Sequence, residues 1–215
     1  MKIRLTILAS IMTMAFVSCD EHHEFPDTAM RTCDILCTDG NVVRYEDMLL
    51  QGKKPGAVVF YVNHNEDIEG TGYAVYLWDI PSGEFSDSVG VKQSTSADIT
   101  AYDGNANTFA MYGSGVSPAA NKVFDIWHYG QSAYIPSVAQ MRLLFQARTS
   151  VNTYIKQCGG DVIPDNPDEC WYWTSTEVKD QESAKAWLYS LSSGALQETP
   201  KGQPHKIRPI ITLYN

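Results

Sequence analysis

The chain has 215 residues, of which 44% are hydrophobic and 11% aromatic, a length and composition that suit one large domain or two small ones. Ten Pro and fifteen Gly are ordinary for a folded chain, so a collagen, a coiled coil and a wholly disordered tail are excluded. Against 25 acidic residues stand 16 basic ones, and the formal net charge of -9 repels phosphate backbones, which sets nucleic acid aside as a partner.

Lys2 and Arg4 precede a mostly apolar run from Leu5 to Val17. The run is short for a transmembrane helix, which needs about 20 residues. Its charged-then-apolar layout is that of a signal peptide. It ends in Phe16-Val17-Ser18-Cys19, which resembles a bacterial lipobox. Residues 1–18 are therefore expected to be removed, with Cys19 as the lipid attachment and residues 19–32 as a lipidated tether. Removal takes away two basic residues and no acidic one, so the mature chain is more acidic still. Asp20, Glu21 and Glu24 follow the Cys at once. Such a cluster resembles a surface-export signal, and a solvated tether is the alternative. His22 and His23 have no second ligand pair in view and make a poor metal site. The expectation is an outer membrane lipoprotein, surface-exposed, whose membrane contact is its N-terminal lipid.

No long linker and no internal repeat interrupts the chain beyond the tether, so residues 33–215 read as one globular domain. Asp34-Ile35-Leu36-Cys37-Thr38 and Asn41-Val42-Val43-Arg44 flank Asp39-Gly40, a hairpin signal. Tyr45 to Gln51 reads as one or two helical turns closed by Gly52. The run Gly56–Val62 is β-branched and aromatic throughout, as a central strand is. Tyr73–Trp78 reads as the next strand, broken by Pro81-Ser82-Gly83. Residues 82–108 are polar and weakly periodic, which predicts a surface excursion.

The middle reads as helical. Ser117 and Pro118 mark an N-terminus. Ala119, Val123, Ile126 and Trp127 share a face, and Gly130 stands at a capping position. A second helix begins at Ser137, with Gln140 at the capping-box spacing and Val138, Met141, Leu144 and Phe145 as its buried stripe. A third, short helix is expected from Val151 to Cys158, stopped by Gly159-Gly160. Strands return at Trp171–Thr176, Ala186–Leu191, Ala195–Gln197 and Lys206–Ile211. Pro209 places that last strand at an edge or a bulge. The order of strands, helices and strands predicts an α+β domain.

The segment Tyr134-Ile135-Pro136-Ser137 with its helix, then Trp173-Thr174-Ser175-Thr176, Ala186-Trp187 and Ile207-Arg208-Pro209-Ile210, resembles in order and spacing the Lcl C-terminal-like domain family of bacterial surface lipoproteins and adhesins. The resemblance spans residues 103–213. It implies a C-type-lectin-like fold with two main helices packed on small antiparallel sheets. Residues 33–102 would then be a β-rich N-terminal extension and 103–215 the lectin-like part. It also implies a non-catalytic binding or adhesion module for a glycan or protein ligand. The alternative is a structural or tip subunit of a surface assembly. A relative of the formylglycine-generating oxidases, which share a related fold, is a less favoured reading. Calcium-binding triplets of sugar-binding lectins are absent: Gln203-Pro204-His205 is the nearest string.

No P-loop, G-x-G-x-x-G, G-x-S-x-G or zincin helix occurs, and neither catalytic residues, cofactor nor metal is expected. Asp165, Asn166, Asp168 and Glu169 crowd one loop, where a calcium site is weighed against a solvated acidic turn. Strand alternation puts Trp171 and Trp173 on one face and Tyr172 on the other. With Trp173 and Trp187 expected in the core, the candidate ligand site is Asp165, Asn166, Asp168 and Tyr172, on a loop that a rigid scaffold can present. Cys158 and Cys170 flank that loop, and a disulfide between them is weighed against buried free thiols. Cys33 and Cys37 would lie about 13 Å apart in an extended chain, beyond the roughly 7 Å that a disulfide spans.

Overall fold

The computed structural model describes residues 29–214 apart from 67, 88–89, 125 and 129–130, and the backbone alone at 127–128 and 131–132. The signal peptide, Cys19, most of the tether and the Gly130 cap lie outside the described residues.

Two five-stranded sheets carry the fold. The first has the order β12-β4-β3-β1-β2, formed by β1 (Ile35–Cys37), β2 (Val42–Val43), β3 (Pro55–Val62), β4 (Gly72–Tyr76) and β12 (Ile210–Leu213), all antiparallel. The expected hairpin joins β1 to β2, with Gly40 at a φ of 100°. A short helix, α1 (Tyr45–Leu50), follows it. β3 lies inside the sheet as its composition predicts. Its alternate residues serve two cores: Val58 and Phe60 face one, Ala57 and Val59 the other.

The second sheet has the order β10-β9-β8-β11-β5, formed by β5 (Ile80–Glu84), β8 (Trp171–Glu177), β9 (Lys185–Ser190), β10 (Leu196–Pro200) and β11 (Pro204–Ile207). Its β8–β11 pairing is parallel, so this sheet is mixed rather than antiparallel. Two-residue strands β6 (Trp127–His128) and β7 (Gln131–Ser132) make a separate ribbon. Among the described residues, four helices and these sheets form a mixed α+β architecture.

Several boundaries differ from the sequence expectation. Pro81-Ser82-Gly83 lies inside β5 rather than breaking the chain. β5 is an edge strand, where a missing N–H costs no ladder bond. The terminal run divides at Arg208-Pro209: β11 pairs in the second sheet and β12 in the first, so the proline marks the crossing. The excursion 82–108 is not simply a surface loop. Phe85, Ser86 and Gln93 are buried, and a helix, α2 (Gly104–Gly113), starts within it. Gly and Asn are poor helix formers, so α2 has little local signal. Its hold is tertiary: the Ile135 amide donates to Thr108 Oγ1 at 2.9 Å, and the Ser96 amide to Asn107 Oδ1 at 2.9 Å.

The helix α3 (Pro118–Phe124) begins as predicted, with the Ala120 amide donating to Ser117 Oγ at 3.2 Å. Where two helices were expected, one runs on: α4 (Val138–Gln157) has 20 residues. Within the stretch Gln146–Ser150, Gln146, Thr149 and Ser150 are exposed while Ala147 packs against the core, so the stretch continues the helix rather than breaking it. Its capping box is complete, with the Ser137 amide donating to Gln140 Oε1 and the Gln140 amide to Ser137 Oγ. At the other end Gly159 takes a φ of 75°, and a Cβ on Gly160 would come within 2.6 Å of the Leu77 carbonyl oxygen. The helix must therefore stop there, and only glycine fits.

Ser137→Ala should lower stability by about 1 kcal/mol or somewhat more, since Ser137 Oγ also donates to the Ala101 carbonyl. Urea unfolding checks this, and no change in midpoint would show the cap to be redundant.

Candidate functional site

The predicted loop site comes apart when its side chains are placed. Asp165 is drawn to Arg148 on α4 in a 2.7 Å ion pair, and the two border a hollow of about 300 Å³. Asn166 donates to Glu169 and accepts from the Asp168 amide within its own turn. Asp168 borders a different hollow, of about 500 Å³, with Trp171, His205 and Lys206. Tyr172 is fully buried, which corrects its assignment as an exposed contact residue. Strand alternation misleads at Tyr172 because β8 is an interior strand covered on both faces: Tyr172 enters one core and Trp173 the other.

The Tyr172 hydroxyl instead donates to Asp79 Oδ2 at 3.2 Å, and Lys206 Nζ lies 4.8 Å from the ring centre. Burial and the Asp79 carboxylate push its phenol well above the ordinary range. Asp79 is the hub of a polar junction between the sheets. Lys206 Nζ sits 3.3 Å from Asp79 Oδ2, and the buried Arg208 Nε sits 2.6 Å from Oδ1. Arg208 also donates to the Tyr76 carbonyl at 3.1 Å and the Asp161 carbonyl at 2.7 Å. The strand end β4, the crossing after β11 and the exit from α4 are thus held by one guanidinium.

Cys158 and Cys170 are free, so the candidate disulfide is not formed. The buried Cys170 thiol is engaged by Ser190 Oγ at 3.1 Å and Ser192 Oγ at 3.0 Å. Cys158 belongs to the α4 side, where burial and, less, nearby Cys37 push its thiol up to about 11. At pH 7.5 its thiolate fraction is about 100-fold below that of an ordinary thiol, and higher intrinsic nucleophilicity recovers about tenfold. Alkylation of Cys158 by iodoacetamide, followed by peptide mass spectrometry, should therefore run about tenfold slower than that of glutathione. A faster rate would show a thiolate stabilised at that position. Among the described residues no group of three or more His, Cys, Asp or Glu is placed to hold a metal ion, and no helix is long and apolar enough to cross a membrane.

A second cleft carries more convergent polar chemistry, and sequence reading missed it. Its volume is about 410 Å³, within the range of small-ligand clefts. Tyr73 on β4, Tyr134 before α4 and Gln140 on α4 make its floor, and Glu69, Tyr102 and Asp103 its rim. Gly104 permits this assembly: a Cβ there would strike the Gln140 amide oxygen and come within 2.8 Å of the Ile135 carbonyl oxygen and the Ser137 amide nitrogen. Gln140 donates to Tyr134 OH at 3.1 Å, and Tyr134 OH shares a 2.7 Å hydrogen bond with Thr212. Tyr73 is buried, stacked with Phe60 and Tyr61, and its hydroxyl has no hydrogen-bond partner among the described residues, although the Gln140 amide is a near neighbour. Burial pushes the Tyr73 phenol up to about 12 and raises the Asp103 carboxyl above the ordinary carboxylate value. The only local hint was aromatic Tyr73 in a strand; the other members are brought together from far along the chain.

No protein-family model matches the chain. No curated protein matches it either. Among solved structures the chain is similar to a fimbrial protein from Bacteroides ovatus ATCC 8483, with a TM-score of 0.63 and 16% sequence identity. The likeness covers 84% of this chain and 48% of that one, so the chain spans about half the length of the fimbrial protein. At this identity the likeness is one of fold.

Proposed function

We propose that the chain is a cell-surface protein of the fimbrial kind, a structural subunit of a surface assembly. The observation that supports this most is the fold likeness to a fimbrial protein over 84% of the chain. The charged-then-apolar N-terminus ending at Cys19 supports export and lipid anchoring in the outer membrane. The likeness favours the subunit reading over a free-standing adhesion module. A non-catalytic role belongs to the same proposal, as does the Lcl-like and lectin-like relation, which rests on the order of the motifs from Tyr134 to Ile210.

The test is to shear appendages from cells that make the protein and to blot the sheared fraction. Co-purification with filaments, and release of Cys19→Ala from the membrane fraction, are the expected results. A chain found wholly apart from sheared material would sink the subunit reading, whatever its anchor.

A further inference from the structure

We propose that the Tyr73–Tyr102–Asp103–Gln140 cleft binds a neutral polyhydroxylated ligand the size of one hexose unit. Three observations support it, and none depends on the assembly reading.

The first is charge. The rim carries the carboxylates of Glu69 and Asp103, and among the described residues no Lys, Arg or His lines the cleft. An anionic ligand is repelled there. The second is the mixture of hydrogen-bonding types. Phenols and amides both donate and accept, whereas the two carboxylates accept only. Glu69 already accepts from Tyr214 OH at 2.7 Å, and Asp103 Oδ1 from Asn107 Nδ2 at 2.8 Å, which orients both carboxylates. Sugar hydroxyls can donate to these acceptors and accept from Tyr73, Asn105 or Gln140. An ammonium can only donate, so it would leave the donors on this wall unused.

The third observation is the Tyr73 hydroxyl. It is buried on the cleft wall with the Gln140 amide close by, and among the described residues it makes no well-aligned hydrogen bond. A fold gains nothing from a buried phenol that phenylalanine would not supply without the desolvation cost. A ligand hydroxyl in the cleft would supply the missing partner.

The test uses the purified full chain and saturation-transfer NMR with the methyl glycosides of glucose, galactose, mannose and N-acetylglucosamine. Methylamine serves as the cationic probe and glucuronate as the anionic one. At least one glycoside should show transfer, while methylamine and glucuronate show none. Tyr73→Phe should weaken glycoside binding about tenfold or more, with an equal or higher thermal midpoint. Asp103→Asn, which preserves shape, should weaken it in the same direction. Absence of transfer to every glycoside, methylamine binding in their place, or wild-type affinity in Tyr73→Phe would each overturn the proposal. Filament co-purification is read on cells and glycoside binding on purified protein, so the two proposals fail separately.

Discussion

Replacing Arg208 with Ala should cost about 3–5 kcal/mol of folding free energy, the loss expected when one partner of a buried ion pair is removed. The guanidinium is fully buried, and its Nη1 and Nη2 satisfy the Tyr76 and Asp161 carbonyls. Nε faces Asp79 Oδ1 at 2.6 Å without aligning as a hydrogen bond, so that contact is chiefly ionic. The variant leaves two carbonyls short of a donor and removes the principal cation from Asp79. Lys206 remains 3.3 Å from the same carboxylate, but its side chain is part-exposed and reaches only the other oxygen. Domains of this size are typically stable by about 5–15 kcal/mol, so the loss of about 3–5 kcal/mol takes roughly a fifth of that reserve or more. Arg208→Lys should rescue little, because one ammonium cannot serve two carbonyls and a carboxylate in fixed directions. Arg208→Met combined with Asp79→Leu should recover much of the loss. Urea unfolding at neutral pH reads all three, and a single-variant loss under about 1 kcal/mol would mean that the junction behaves like a surface pair.

Glu177→Ala should have an effect of similar size through the other buried pair. Lys201 and Glu177 form an ion pair with both side chains out of solvent. Glu177 accepts from the Gln93 amide at 2.8 Å and from Thr95 Oγ1 at 2.8 Å. Lys201 Nζ donates to the Val91 carbonyl at 3.0 Å and lies 5.3 Å from the Phe85 ring centre. The pair thereby pins Phe85, Val91, Gln93 and Thr95 over β8, and about 3–5 kcal/mol should go with the carboxylate. A pH signature separates charge from packing. Burial lowers the Lys201 value, while Glu177 pulls it back. A lysine lowered in the folded state binds fewer protons than in the unfolded chain between the two values, so stability rises with pH across that window. Without Glu177 the folded value falls further and the window widens. The variant should then recover part of its loss as pH rises from neutral toward 10.5, more steeply than wild type. Parallel pH profiles for the two proteins would contradict the charge account.

What could be read from the sequence was what local chemistry encodes. Ser137 and Gln140 announce a helix start because their side chains bond the very amides that a helix leaves open. Gly159-Gly160 announces its end for an equally local reason. The Gly56–Val62 run is apolar on both faces, and β3 is buried on both. The helix α2 was hidden because Gly104, Asn105 and Asn107 oppose it locally, while Thr108, Asn107 and their distant partners hold it. Tyr172 was misplaced because alternation predicts an exposed face only where a sheet has one. The acidic loop did identify surface residues, yet Asp165 and Asp168 point to separate hollows. The Tyr73 cleft draws on residues between Glu69 and Thr212, and no window of sequence contains that juxtaposition.

Immunogold electron microscopy of intact producing cells tests the central claim, membership of a surface assembly, most directly. An antibody raised against residues 33–215 should decorate appendages, along the shaft or at the tip, on cells with the chain and not on a deletion strain. Gold confined to the cell body, with bare appendages of normal number in both strains, would contradict it.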